Sequence, residues 1–365
     1  PTVVTSFSEF QAVFGDTFNN GVDGERVQFL TSHAAEEYLK NSNTLTVVRI
    51  MDGDFSPATA TIDTGSRAND VPSTTHVGTD GAFKLETLAD GTIMNNKGPA
   101  LAETGSVNNI LVSGSKHNIR YEVTNVNASK GTFTLLIRAG NDNIKRKQIL
   151  ESYNNVSLDP NSTNYISKVI GDQKQQVRTD GSTKYLQLSG SFQNKSRYVR
   201  VSSVLNIPNY LDENGSIRDK FVTGSLPAEG SGSFDGAFDG ATNGQSGFDA
   251  LGNQKGALTE TANFYENIGT QTQGFNLASD AAGVSGSNAY TEALDLLANQ
   301  DEFDINLILA PGIIANTHTA IASKIIDVCE DRGDCFAVLD PVLYGLTLTQ
   351  APTQAESRDS NFAAM

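Results

Sequence analysis

Both cysteines of the chain lie six positions apart, in the stretch IIDVCEDRGDCFAVLDP that begins at residue 325. Two thiols among acidic residues could bind a metal, act as a redox pair, or pack in a core. Cys329 follows Ile321 and Ile325 at the spacing that places side chains on one helical face. Cys335 opens the apolar run CFAVL, which is typical of a strand covered on both sides. We therefore predict that both thiols are buried as small apolar side chains, with a redox pair as the alternative.

A metal site would need more soft or imidazole ligands than two thiols provide. The four histidines show no ligand spacing; they are His33, His76, His117 and His318. Phenylalanine-aspartate pairs at Phe234, Phe238 and Phe248 could belong to an acidic calcium loop, but their spacing fits neither an EF-hand nor a nonapeptide calcium roll. We interpret that segment as a solvated loop anchored by its phenylalanines. The sequence thus predicts no metal site and no cofactor.

Two further patterns are weak. The tripeptide Arg332 to Asp334 is similar to an adhesion motif, yet it fits a turn in which Gly333 ends a helix. The strand INLILAP is followed by the single Gly312 with no nearby lysine, which makes neither a P-loop nor a dinucleotide fingerprint. Spacing alone nominates no catalytic residue, and we expect that the protein is not an enzyme.

Composition limits the candidate partners. The chain has 365 residues, with 26 basic and 42 acidic side chains and a formal charge of -16. This charge repels phosphate backbones and anionic lipid, so neither nucleic acid nor membrane is an expected partner. The sequence shows no signal peptide and no apolar run long enough to span a bilayer, which favours a cytosolic site of synthesis. Because it starts at Pro1 and stops after NFAA, we expect a trimmed piece of a longer protein.

Helices alternating with apolar strands occupy both ends of the chain. Near the start, Ser6 and Glu9 form a capping-box pattern and Gly15 ends the predicted helix. A second helix is predicted from Glu25 to Lys40, with a strand from Thr44 to Ile50. Toward the end, the sequence predicts helices at 260–268, 288–299 and 317–330, and strands at 305–311 and 335–341.

The middle of the chain is different. It is rich in glycine, serine, threonine and asparagine and contains several β-type stretches. Residues 118–126, 131–139 and 145–153 predict an antiparallel meander. One helix is predicted between them and later strands, with Asp159 as its cap and Gly171 at its end. Residues 224–256 are so glycine-rich that we interpret them as a long connection.

These patterns predict a multidomain protein of α/β and α+β type. Residues 1–51 and 257–365 would form one discontinuous α/β domain, with helices layered on a shared sheet. Residues 52–256 would be a β-rich insertion of one or two domains that ends in the glycine-rich connection.

Several stretches resemble contractile tail sheath proteins of bacteriophages. The opening VTSFSEFQAVFGD is similar to the family's first helix, and AAEEYLKNSNTLTVVRI is similar to its helix and strand that follow. GSFDGAFDG resembles its glycine-aspartate-glycine loop. EALDLLANQDEFDINLILAPGI and IIDVCEDRGDCFAVLDP resemble its paired helix-and-strand units, and SRDSNFAAM its next segment. The matches keep the family's order, whereas the middle matches loosely and Asn41, Ser42 and Asn43 replace the frequent Asn-Gly-Gly.

The resemblance implies a structural subunit of a virion, assembled in the host cytoplasm. The length and divergence of the insertion suggest a phage with a large genome. Family members form hexameric rings around a tail tube and contract on a baseplate signal to drive the tube through the host envelope. The implied partners are other sheath subunits, the tail tube and the baseplate. The chain would lack the domain that contacts the tube, so we expect it to be a monomer by itself.

Three other functions stay open. An α/β enzyme or small-molecule-binding protein would use a cleft near Gly312 and would gather polar groups with shifted pKa values there. A receptor-binding or adhesion module would use the insertion and the tripeptide at Arg332. A sheath of a bacterial secretion or bacteriocin machine is hardly separated from a phage sheath by sequence.

Overall fold

The computed structural model describes residues 1–19, 26–51, 55–67, 81–91, 116–142, 145–181, 183–217, 225–243, 285–358 and 360–365. Within these residues the protein is mixed α/β, with 6 helices and several small sheets. This confirms the predicted mixture of helix and strand. No helix in the described ranges combines the length and apolar character that crossing a membrane requires.

The helices are α1 (Phe7–Phe14), α2 (Leu30–Leu39), α3 (Ile166–Ile170), α4 (Ser285–Leu297), α5 (Thr319–Arg332) and α6 (Gln350–Glu356). The first ten strands are β1 (Thr2–Val4), β2 (Thr17–Asn19), β3 (Arg26–Gln28), β4 (Leu45–Val47), β5 (Phe55–Ile62), β6 (Thr64–Arg67), β7 (Phe83–Asp90), β8 (Ile119–Asn127), β9 (Thr132–Ala139) and β10 (Ile149–Ser157). The others are β11 (Lys174–Asp180), β12 (Thr183–Ser189), β13 (Val199–Val204), β14 (Ser225–Pro227), β15 (Thr242–Asn243), β16 (Leu307–Ile314), β17 (Phe336–Asp340) and β18 (Ala363–Ala364). The predicted helix at 260–268 lies outside the described residues.

The N-terminal segment forms a small unit with its own core. Ser6 Oγ accepts a hydrogen bond from the Glu9 amide at 3.2 Å, and Gly15 ends α1 at a φ of 81°. Both features were predicted. Glu9 also accepts from the backbone of Thr5 at 3.0 Å, one residue before the position a capping box would use. β1 and β4 pair antiparallel, and Val4 and other buried side chains pack beneath α1 and α2.

The predicted helix from Glu25 starts too early. α2 begins at Leu30, because Arg26–Gln28 forms β3 and pairs with β2. Phe29 occupies the N-cap position and makes no side-chain cap, so the sequence carries no capping signal there. The predicted strand from Thr44 is also shorter, since only Leu45–Val47 pairs with β1.

The middle of the chain is β-rich, as predicted. β8, β9 and β10 form the expected antiparallel meander, and a second sheet has the order β13-β7-β5-β15. Both sheets contribute to one core, in which the rings of Phe83 and Phe133 stack at 5.6 Å. This core is the larger of the two main buried clusters.

The predicted helix capped by Asp159 ends at Gly171, as expected, but it begins later than predicted. Only Ile166–Ile170 is helical, and the residues before it form turns. Asp159 accepts from the amide of Asn161 at 2.9 Å and from the amides of Tyr210 and Leu211 at 3.0 and 2.6 Å. The carboxylate is therefore used to fix a distant loop, a role that local spacing cannot reveal.

The glycine-rich segment is not a free connection over its described part, residues 225–243. β14 pairs with β6 and β15 pairs with β5, while the Tyr121 amide donates to the carbonyl of Gly236 at 3.0 Å. Phe238 is fully buried in the β-rich core and Phe234 is exposed. One predicted anchor is thus confirmed, and Phe248 lies outside the described residues.

The C-terminal part is a parallel sheet with the order β16-β17-β18, and α5 packs on it. Leu307 is the register partner of Phe336, and Leu309 is the partner of Val338. These four side chains are 37 to 43% exposed, and we call them the open sheet face. The prediction that the strand CFAVL is covered on both sides is therefore wrong for the described chain, because burial along β17 alternates.

In the described structure the two ends of the chain meet without sharing a sheet. Among the described strands β4 pairs only with β1, and β16 pairs only with β17. The expected shared sheet is therefore wrong. The ends meet instead where α2 packs against β16.

Candidate functional site

A cavity of about 660 Å³ lies where the N-terminal segment meets the C-terminal sheet. Residues 44–51 and α2 form one wall, and β16 and α4 form the other. Most lining side chains are apolar, among them Phe10, Phe14, Tyr38, Leu45, Ile50 and Leu309. Its size and lining suit an apolar small molecule or a chain segment.

The cavity follows from the strand pairing. β4 has its described partner β1 on one side, and β16 has β17 on one side. The two edges that lack a partner among the described strands border the same space. Because β4 and β16 do not pair with each other, a gap remains between them, and apolar side chains of both strands line it.

Among the described residues, the charged side chains on the wall are Arg49 and Asp304. Arg49 donates through Nη2 to the carbonyl oxygen of Asp90, so it ties the cavity rim to the end of β7. Ser32, on the α2 side, is buried and donates to Asp16. Burial raises the pKa of Tyr290 to about 12, so its phenol stays protonated at neutral pH. The wall reaches Pro311 but not Gly312. These groups form no nucleophile-base pair that the geometry supports.

The two thiols are buried, as predicted. Cys329 and Cys335 are 0% and 4% exposed and belong to the core under α5. Their Sγ atoms lie 3.4 Å apart, which spacing along the chain did not predict. Burial, and then the hydrogen bond from Cys335, raise the pKa of Cys329 to about 12. The resting thiol is therefore a poor nucleophile.

Arg332 is part of the fold. Its guanidinium donates to the carbonyl oxygens of Leu297 and Phe303 at 2.6 and 2.9 Å and to both carboxylate oxygens of Asp334 at 2.8 Å. Gly333 has a φ of 71° and ends α5, which confirms the predicted turn. Because its arginine is buried, this tripeptide gives no support to an adhesion function.

The described histidines lie in separate parts of the molecule. His33 is exposed on α2, and His117 precedes β8. His318 is fully buried, and its Nδ1 accepts from the Ile314 amide at 2.9 Å, which fixes the turn between β16 and α5. His76 lies outside the described residues. In the part of the chain that the structure describes, no three His, Cys, Asp or Glu side chains are grouped to hold a metal.

The acidic side chains of the glycine-rich segment are used locally. Asp235 lies 3.8 Å from Arg120, and Asp239 accepts from the Gly240 amide at 2.8 Å. The backbone of Asp239 pairs with Thr59. These contacts hold the described part of the segment against β8 and β5.

A buried ionic cluster is the main feature that sequence reasoning missed. Arg138 is 2% exposed and makes a bidentate pair with Asp142, with both distances at 2.7 Å. It also donates to Glu122 at 2.9 Å, and Glu122 accepts from Lys147. The sequence contained one signal for this cluster, the arginine in the apolar run TFTLLIRA. A guanidinium buried in such a strand requires carboxylate partners.

Comparison with known proteins identifies no relative: no protein-family model matches the chain, and no curated protein matches it.

Proposed function

We propose that this protein is a subunit of a contractile tail sheath of a bacteriophage. The observation that carries the proposal is the order of the sheath-like stretches, which begin at α1 and return at α4, α5 and β17. Each stretch is weak alone, but unrelated chains would not repeat the whole series in one order.

The contact between the chain ends supports this proposal. α2 packs against β16, although the β-rich middle separates them in sequence. In our proposal residues 1–51 and 257–365 form one discontinuous domain that interacts with neighbouring subunits. Residues 52–256 form an insertion that faces outward, a position at which added loops and sheets are tolerated.

The open sheet face gives the proposal a physical basis. Parallel sheets are normally covered on both faces, yet Leu307, Leu309, Phe336 and Val338 stay 37 to 43% exposed. Leu307 and Leu309 also border the cavity, and Phe336 and Val338 lie beyond it. In an assembly, a neighbouring subunit covers such a face. The four side chains expose much less than the ~800 Å² per partner of a stable dimer, so this chain alone is expected to sediment as a monomer.

Contraction in this proposal moves subunits as largely rigid bodies between two packings. The extended sheath would be a kinetically trapped state that is released at the baseplate. Two well-packed cores and the Arg138 cluster suit a subunit that keeps its internal structure during such a change.

Electron microscopy of the full gene product tests the proposal. Hollow helical tubes would support it, and addition of isolated tail tubes should favour their formation. Discrete globular particles under all such conditions would contradict it.

The cavity favours a second candidate, a protein that binds an apolar small molecule. Its volume of about 660 Å³ lies in the range of ligand sites. Fluorescence of an anilinonaphthalene sulfonate probe would rise on binding, and Ile50→Trp should fill the space and reduce the rise. A signal equal in both proteins would reject this candidate.

A further inference from the structure

The two thiols are placed for direct reaction with each other. Cys329 lies in the last turn of α5, Cys335 directly precedes β17, and their Sγ atoms are 3.4 Å apart. A disulfide bond is about 2.05 Å long, so closure needs the two sulfur atoms to approach each other by about 1.4 Å. These are the two cysteines of the 365-residue chain, so each has one intrachain partner.

We propose that Cys329 and Cys335 are a modification site that closes to an intrachain disulfide when the protein meets a low-molecular-weight disulfide. The inference does not rest on the proposed function. In the first step a thiolate of the pair attacks one sulfur of the small disulfide, which leaves a mixed disulfide and releases one small thiolate. In the second step the other protein thiol loses its proton to solvent and attacks the protein sulfur of that mixed disulfide, which breaks the bond to the small molecule and releases the second small thiolate. The protein loses two electrons and two protons, and the small disulfide becomes two thiols.

The turn between the cysteines holds them in place. Gly333 adopts the left-handed conformation that ends α5, and its amide donates to the carbonyl of Cys329 at 2.9 Å. Arg332 is fixed by two carbonyl oxygens and by Asp334. Because these bonds involve neither sulfur, the disulfide can form without rebuilding the turn.

Burial makes the reaction slow. Cys335 is 4% exposed and Cys329 is 0% exposed, so the small disulfide reaches the more exposed Cys335 when the end of α5 opens locally. The dithiol therefore persists in a reducing cell and closes on long contact with an oxidising medium. The bond then joins α5 to β17 covalently and stabilises that corner of the sheet.

The test uses the complete chain, fully reduced and then incubated with oxidised glutathione under native conditions. Mass spectrometry of the denatured, unreduced protein should show the loss of two hydrogens, and peptide mapping should place the bond between Cys329 and Cys335. The thermal midpoint of unfolding should rise when the disulfide forms and should return to its original value after reduction. Cys329→Ala should show neither the mass loss nor the rise in thermal midpoint.

Three results would overturn the proposal. One is a glutathione adduct that persists on the unsubstituted chain. Another is a disulfide between chains. The third is closure only in urea, with the native chain still reduced after the unfolded chain has reacted completely, because this would show that the folded geometry does not permit the bond. Cys335→Ala provides a second control that leaves Cys329 in place.

Discussion

Arg138 shows how the β-rich core tolerates charge. It is the largest of the fully buried side chains in the described structure, and its partners Asp142 and Glu122 are buried too. Such a cluster adds little net stability compared with apolar packing, but it makes each member dependent on the others. Loss of one partner leaves the remaining charges desolvated and unpaired.

We predict that Arg138→Met lowers the free energy of unfolding by about 3–5 kcal/mol, because two buried carboxylates lose their partner. Urea denaturation measures this value. The matched control is Arg178→Met on the exposed hairpin of β11 and β12, which should change it by less than ~0.5 kcal/mol. Equal effects of the two substitutions would show that the cluster has no special role.

His117 should make stability depend on pH. Burial lowers its pKa to about 4 from an ordinary value of 6.5. Between these values the unfolded chain binds more protons than the folded chain, so the contribution of His117 is complete above pH 6.5 and is lost as the pH falls toward 4. Acidification from neutral pH to 4 should lower the free energy of unfolding of the unsubstituted protein by up to about 3 kcal/mol more than that of His117→Gln.

Urea denaturation curves at several pH values measure this pH dependence. His33 is exposed, so His33→Gln serves as the control. The comparison is made between variants because burial raises the pKa of Asp340 and of Asp90, which opposes the histidine effect. An identical pH dependence with and without His117 would refute the assignment.

At the scale of elements, the glycine-rich segment behaves as part of the core. Phe238→Ala should lower the free energy of unfolding by about 3–5 kcal/mol, because removal of a fully buried ring leaves a cavity. Phe234 lies four residues earlier and is 44% exposed, so Phe234→Ala should lower the free energy of unfolding by less than ~1 kcal/mol. The two substitutions remove the same side chain, which is buried at one position and exposed at the other. Similar small losses of stability in urea denaturation would show that the segment is a solvated connection.

Elements that are determined by local chemistry could be predicted from the sequence. Ser6 and Gly15 mark both ends of α1, and turn residues separate β8, β9 and β10, so short-range patterns were sufficient. The start of α3 and the presence of β3 were mispredicted because tertiary contacts decide them, whereas the end of α3 at Gly171 was correct. Asp159 matched a helix cap, yet it binds amides fifty-one and fifty-two residues away.

At the scale of the molecule, the same limit applies to the candidate sites. Helical spacing and the apolar run predicted that Cys329 and Cys335 are buried, but their contact depends on how α5 leads into β17. The cavity and the open sheet face depend on which strands pair, and no residue spacing reports that. The apolar run before Asp340 therefore predicted a covered strand, whereas one of its faces is open in this chain.

The open sheet face allows folding and assembly to be tested separately. Val338 is 43% exposed, so Val338→Glu should change the free energy of unfolding by less than about 1 kcal/mol. If a neighbouring sheath subunit covers this face, the buried carboxylate would lack a partner and tubes of the full gene product should fail to form. Electron microscopy and urea denaturation of the same preparation measure the two effects. Leu188→Glu, at a 54% exposed position on β12, is the control and should leave the tubes intact. Normal tubes from the Val338 variant would show that this face is not a subunit contact.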